Sequence, residues 1–186
     1  MFRIILISIL LISANGNSDE NIFYTKTGLI SFRSDAPQEL IRASSSHLIG
    51  LLDTKNRTFV FKVSVRTFEG FNNKLQQEHF NEKYLESDKF PEAIFTGKII
   101  EDLDLSMDGT YDIRAKGKFN IHGKEAEKII RGNVLVKNGV IKIDSRFNII
   151  LSDYNIKIPK VVHEKIANEV IINLKVELNR KDQIEK

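Results

Sequence analysis

The stretch Tyr111-Asp112-Ile113-Arg114-Ala115-Lys116-Gly117-Lys118-Phe119-Asn120-Ile121-His122 decides the fold. Apolar or small residues at its odd positions alternate with polar or charged residues at its even positions, a period of two that puts one face in a core and the other in water. One-sided wetting belongs to antiparallel sheet, because parallel strands are buried on both faces. The pattern recurs at 58–67, where Phe59, Phe61, Val63 and Val65 alternate with Val60, Lys62, Ser64 and Arg66. It recurs again at 141–151, through Ile141, Ile143, Ser145, Phe147, Ile149 and Leu151, and at 170–178, through Val170, Ile172, Leu174, Val176 and Leu178. Weaker alternations at about 22–33, 40–53, 92–101 and 128–137 bring the expected total to eight strands.

Short turn signals separate these runs: Asp53 to Asn56, Asp104 to Gly109, Gly123-Lys124-Glu125, and Lys137-Asn138-Gly139, whose Asn-Gly pair favours a type I′ hairpin. Neighbouring strands are therefore expected to pair as antiparallel hairpins. Two segments break the period, Asn72–Ser87 and Pro159–Asn168, and both are expected to form short helices over an opening. An all-β, eight-stranded antiparallel barrel meets this pattern and removes exposed strand edges; a two-sheet sandwich is the alternative. Small residues at inward positions, namely Ala93, Gly97, Ala115, Gly117, Gly132 and Ser145, leave volume that a sandwich would fill with facing side chains and a barrel would keep as a cavity.

The chain has 186 residues, 28 Lys plus Arg against 25 Asp plus Glu, and no Cys. That size suits one domain, and the absence of Cys excludes disulfides and thiolate metal sites. A formal charge of +3 gives no electrostatic footprint for nucleic acid. Residues 1–16 have a basic start at Arg3, an apolar run from Ile4 to Ile12 and small residues at Ala14 and Gly16, the pattern of a secretory signal peptide. The run is too short for a spanning helix of roughly 20 residues, so no integral membrane anchor is expected. The remaining residues, 17–186, form the barrel domain.

The segment Glu78-His79-Phe80 through Glu86-Ser87-Asp88-Lys89-Phe90-Pro91 and on to Ile94-Phe95 resembles the signature of the YceI-like family. Gly117-Lys118-Phe119-Asn120-Ile121-His122-Gly123 resembles that family's Gly-x-Leu-x-Ile-x-Gly strand and turn, and Ser152-Asp153-Tyr154-Asn155-Ile156 resembles its Asp-aromatic-Gly-Ile segment. The likeness runs from about Tyr24 to Leu178. Two positions depart from it: Leu151, where many members carry a basic residue, and Asn155, where Gly is usual; Asn tolerates a left-handed backbone. The resemblance implies a lipocalin-like barrel exported to the bacterial periplasm, with an apolar tunnel for a polyisoprenoid, an isoprenoid quinone or a fatty-acid-like amphiphile.

Catalytic constellations are missing from the sequence. His47, His79, His122 and His163 are scattered, no His-Glu-x-x-His pair exists, and there is neither a Gly-x-Ser-x-Gly elbow nor a Walker loop. Asp102, Asp104 and Asp108 match a calcium loop only in part and read as an acidic hairpin turn; His122 reads as a solvated turn residue. No enzyme activity, cofactor or metal is expected. Strand parity assigns Phe59, Phe61, Val63, Phe95, Ala115, Gly117, Phe119, Phe147 and Ile149 to a tunnel lining, with His79, Phe80, Tyr84 and Phe90 at its entrance. Two readings stay open: a carrier of a long-chain amphiphilic lipid, as monomer or homodimer, or a filled barrel acting through its surface as a stress-response or interaction factor. A Gly117→Phe change is expected to block the tunnel and leave the fold intact.

Overall fold

The computed structural model describes residues 20–180, so segment 1–16, where the sequence predicts a signal peptide, lies outside the described residues. Eight strands follow one another in the order of the sequence: β1 Ile22–Asp35, β2 Leu40–Asp53, β3 Thr58–Ser64, β4 Glu92–Ile99, β5 Gly109–Ile121, β6 Lys124–Lys137, β7 Val140–Ile150 and β8 Glu169–Arg180. Each pairs antiparallel with the next, and β1 pairs with β8 to close the barrel. The eight-stranded antiparallel barrel expected from alternation is the observed fold. Asn138 and Gly139 both have positive φ, 51° and 75°, as the type I′ hairpin requires.

Three boundaries differ from the sequence expectation. The third strand ends at Ser64, not Thr67, because the Thr67 hydroxyl donates to the Ser64 carbonyl at 2.7 Å and winds Val65–Thr67 into a 3₁₀ turn. The sixth begins at Lys124 because His122 and Gly123, with φ of 53° and 68°, make the turn by themselves. Pro159–Asn168 holds only one 3₁₀ turn, Lys160–Val162. The turns continue only to Ile166, whose N–H donates to the Val162 carbonyl at 3.0 Å, while Gln38 donates its backbone N–H to the Glu164 carbonyl at 2.8 Å and Leu151 donates to that of Asn168, so the rest of the segment bonds to its neighbours. The other expected helix forms: α1, Lys74–His79, is capped by the Asn73 side chain and continues as a wider π-type turn through Phe80–Tyr84.

The two ends of the barrel differ. At one, the connections after β2, β4 and β6 are short, and Phe23, Leu52, Leu105, Ile141 and Leu178 close the interior completely. At the other lie the β1–β2 turn, the long β3–β4 connection carrying α1, the His122-Gly123 turn and the β7–β8 connection at 151–168. Apolar burial of the inner faces is the main stabilising term. The aromatic rings Phe59, Phe95, Phe119 and Phe147 continue it along the wall, with neighbouring centroids 4.9 to 6.3 Å apart.

Gly97 and Gly117 pair directly across β4 and β5. A Cβ on Gly117 would overlap the Thr96 carbonyl and lie 2.9 Å from the Gly97 Cα, so the two backbones meet where no side chain can stand. This corrects the expectation that Gly117→Phe would leave the fold intact. Gly117→Ala is expected to lower stability by about 1–3 kcal/mol, seen as an earlier urea midpoint by circular dichroism at unchanged m-value. An unaltered midpoint would remove the close approach from the account.

Candidate functional site

Between the closed end and α1 the barrel encloses a cavity of about 420 Å³ that opens toward the α1 end. Small side chains make it possible: Ala93, Ala115, Gly132 and Ser145 all stand on its wall, whereas Gly97 and Gly117 do not. The volume lies within the range of small-molecule pockets, and the wall is overwhelmingly apolar.

Eleven of the thirteen side chains singled out from the sequence surround this space. Phe59, Phe61 and Val63 come from β3, Phe95 from β4, Ala115 and Phe119 from β5, Phe147 and Ile149 from β7, and His79, Phe80 and Tyr84 from α1 and its π-type extension. Gly117 is held in the β4–β5 backbone contact. Phe90 is not at the entrance: its ring packs edge-on against His122, with centroids 4.9 Å apart, and covers Gly123. The structure adds wall residues that the sequence did not yield, chiefly Ile30 and Phe32 of β1, Leu48 and Leu52 of β2, Phe68 and Phe71 before α1, and Ile172 and Leu174 of β8.

The helix is seated chiefly through the ring of Phe80. Phe80 stacks on Phe32 at 5.3 Å and meets Phe71 at 5.0 Å and Phe68 at 5.8 Å, and Tyr84 and the buried Leu85 add to the lid's apolar attachment. Polar groups gather where the lid meets the β1–β2 turn. The Glu39 carboxylate accepts from Gln76 at 2.9 Å and from Asn72 at 3.2 Å, and Asn73, His79 and Lys165 complete a polar rim on an apolar well. The Lys83 ammonium, a donor only, lies 2.9 Å from His79 Nε2, which therefore accepts. Burial pushes the Tyr84 phenol above its ordinary value of 10.0, so it stays a neutral hydroxyl at physiological pH.

His122 is not solvated. It stands at a left-handed φ of 53°, with Nδ1 3.1 Å from the Tyr154 carbonyl oxygen and Nε2 3.0 Å from a Glu86 carboxylate oxygen. Tyr154 is 1% exposed and fills the barrel wall against Phe119, ring centroids 5.4 Å apart. It lies where β6 and β7 no longer pair: their register stops at Gly132↔Ser145, although both strands run on. Asn155 closes that turn at φ 59°, the left-handed conformation expected of it. The three sequence motifs that carried the resemblance thus converge on one latch, outside the cavity. The acidic segment 102–109 is also accounted for internally: Asp102 pairs with Arg57, Asp104 accepts from Ser106, and Asp108 accepts from the Asn138 N–H. Among the described residues no group of three or more His, Asp or Glu is placed to hold a metal ion.

The YceI-like domain family model matches residues 26–178. Among solved structures, a polyisoprenoid-binding domain from Saccharophagus degradans superposes with a TM-score of 0.72 at 12% identity, covering 86% of this chain and 98% of its own. BcnA of Burkholderia cenocepacia gives 0.68 at 16% identity, covering 81% and 95%. The YceI protein of Campylobacter jejuni gives 0.55 at 13% identity, covering 97% and 92%. At these identities the likeness is one of fold. No curated protein matches the sequence.

Two outcomes test the lid and the latch. Phe80→Ala is expected to cost about 2–4 kcal/mol, somewhat less than a fully buried ring, with amide exchange accelerated in 72–85 before the strands; uniform acceleration would contradict a locally seated lid. Lys89 and His122 hold the Glu86 carboxyl below its ordinary 4.5. Because the folded pKa is the lower one, this stabilisation is present above that value and is lost as pH falls through the folded pKa. Urea midpoints of the wild type and Glu86→Gln are therefore expected to differ at neutral pH and to converge below pH 4.5. A constant difference would assign Glu86 no part in the latch.

Proposed function

This chain belongs to the YceI-like family, and we propose that it binds and carries a long-chain amphiphilic lipid, a polyisoprenoid, isoprenoid quinone or fatty-acid-like molecule, in its barrel cavity. The observation that carries the reading is the combination of a 420 Å³ apolar well with a single polar rim at its open end. An apolar chain entering the well loses contact with water, worth roughly 25 cal/mol per Å², and several hundred Å² of burial supply on the order of 10 kcal/mol before association costs. The rim groups Glu39, Gln76, His79 and Lys165 offer both donors and acceptors to a head group at the mouth.

Binding of this kind uses no catalytic group, and the polar side chains of the rim hold the lid to the β1–β2 turn. Open volume favours the carrier over the filled barrel, because a filled interior would have closed around Ala115 and Ser145 at ordinary protein density. The signal-peptide pattern of residues 1–16 supports export and, with it, the reading of a carrier in the bacterial periplasm. No described helix is long and apolar enough to cross a membrane. The Saccharophagus degradans domain of the same fold is a polyisoprenoid-binding one, which supports the ligand class.

Native mass spectrometry of protein purified from a bacterial host, followed by organic extraction, is expected to show a stoichiometric lipid. Ala115 faces the cavity with room before it, so Ala115→Phe should abolish the bound mass at a nearly unchanged melting temperature. Protein that is empty and takes up no added lipid, or an Ala115→Phe variant that is folded and still loaded, would overturn the carrier reading.

A further inference from the structure

We propose that the open end of the barrel docks on an anionic lipid bilayer, presenting the cavity mouth to the membrane; this rests on the lipid-carrier reading. Three connections at that end each carry an exposed apolar tip. Pro37 stands on the β1–β2 turn, Leu75 in the first turn of α1 at 59% exposure, and Val161 in the β7–β8 connection at 89%, the most exposed large hydrophobic residue among those described.

These tips belong to one rim. The Gln38 N–H donates to the Glu164 carbonyl at 2.8 Å, and the Gln38 side chain donates to the Glu164 carboxylate. On the other side Gln76 donates to Glu39 at 2.9 Å. The β1–β2 turn therefore ties the loop bearing Val161 to the helix bearing Leu75, and side chains of all three segments line the cavity mouth.

Charge selects the surface that would meet these tips. The segment 157–165 carries Lys157, Lys160 and Lys165, all exposed, against one acid, Glu164, which is engaged by Gln38. With Lys74 next to Leu75, four lysines stand beside the apolar tips, and among the described residues none of the four is in an ion pair. Of the exposed acids at this end, Asp35 pairs with Arg33, Asp88 pairs with Arg66 and Glu169 accepts from Asn148, while Glu69, Glu78, Glu82 and Asp153 lie outside the 157–165 loop, whose own charges are three lysines against Glu164. Exposed apolar side chains set among unpaired lysines fit a headgroup layer of negative lipid over an apolar interior. The opposite end of the barrel offers no route to the cavity, since Leu52, Leu105, Ile141 and Leu178 close it. A chain leaving through a docked mouth passes from cavity to acyl region and need not cross water.

The test is flotation of the purified protein with vesicles of phosphatidylglycerol and phosphatidylcholine, against vesicles of phosphatidylcholine alone. Wild type is expected to float with the first and not the second, and to be released as salt is raised. Lys160→Glu and Lys165→Glu should each weaken the association about fivefold or more, as expected for a lysine near a charged membrane surface. Val161→Asp should abolish flotation while keeping the wild-type melting temperature and lipid uptake from detergent. Ala115→Phe, whose cavity is blocked, should float like wild type, so a failure of the lipid reading leaves the docking result separately visible. Three results would overturn the proposal: wild type that does not float with the anionic vesicles, a folded Val161→Asp variant that floats undiminished, or a dimer in solution that Val161→Asp dissolves.

Discussion

Closure of the sheet by the β1–β8 pairing is the constraint on which the rest depends. With that pairing made, every strand has a neighbour on each side and no edge is left to template aggregation. The inner faces are then committed to one shared interior, whose size follows from the number of strands and their tilt and not from how much side chain is available to fill it. Whether a barrel is solid or hollow becomes a question of side-chain volume at a few inward positions. Here Ala93, Ala115, Gly132 and Ser145 lie among rings that meet only their immediate neighbours along the wall, and a well remains.

Closure also carries a geometric cost, visible in how legible the sequence was. Alternation read correctly on β5, β7 and β8 because these strands keep one parity from end to end. On β1 and β2 the parity changes: Phe23 and Thr25 face inward, then Gly28, Ile30, Phe32 and Ser34; likewise Ile41, Ala43 and Ser45, then Leu48, Gly50 and Leu52. A β-bulge inserts a residue and swaps the faces of everything beyond it. No composition cue marks the swap, so Ile30, Phe32, Leu48 and Leu52 were absent from the expected wall although both strands were found. The register shifts around Gly28 are where that extra residue sits.

Other differences have a different origin. Phe90, Gly117 and His122 were each assigned by local pattern, yet each is placed by a partner distant in sequence. Phe90 lies on Gly123, Gly117 against Gly97, and His122 between Glu86 and the Tyr154 carbonyl, bonds that span 36 and 32 residues. In this chain Glu86, His122 and Tyr154, one from each of the three motifs, make a latch that holds three connections at one end. The same motifs also supply His79, Phe80, Phe95 and Phe119 to the cavity wall, so joint and wall are built from the same short stretches of sequence. The Pro159–Asn168 segment differs for a related reason: beyond its short internal turns, its backbone groups bond to Gln38, Leu151 and Ser34, partners distant in sequence.

Latch and lid share one end of the barrel but are built from different forces, and this gives that end its division of labour. The latch is polar, with Tyr154 buried where β6 and β7 part, so opening it would leave the Tyr154 carbonyl and the His122 imidazole without their partner. The lid is held chiefly by one ring, Phe80, in a nest of Phe32, Phe68 and Phe71, and by amide-to-carboxylate bonds at the surface that water can replace. An apolar seat can slide and re-form without leaving any polar group unsatisfied, whereas a buried hydrogen bond cannot. Of the routes into the cavity, movement of α1 is therefore the one of lower cost, and it leaves the β6–β7 seam shut. The lysine-rich 157–165 loop is joined to the lid through the β1–β2 turn, whose Gln38 bonds to Glu164 and whose Glu39 accepts from Gln76, so the turn couples the loop to the one element of this end that can move at low cost.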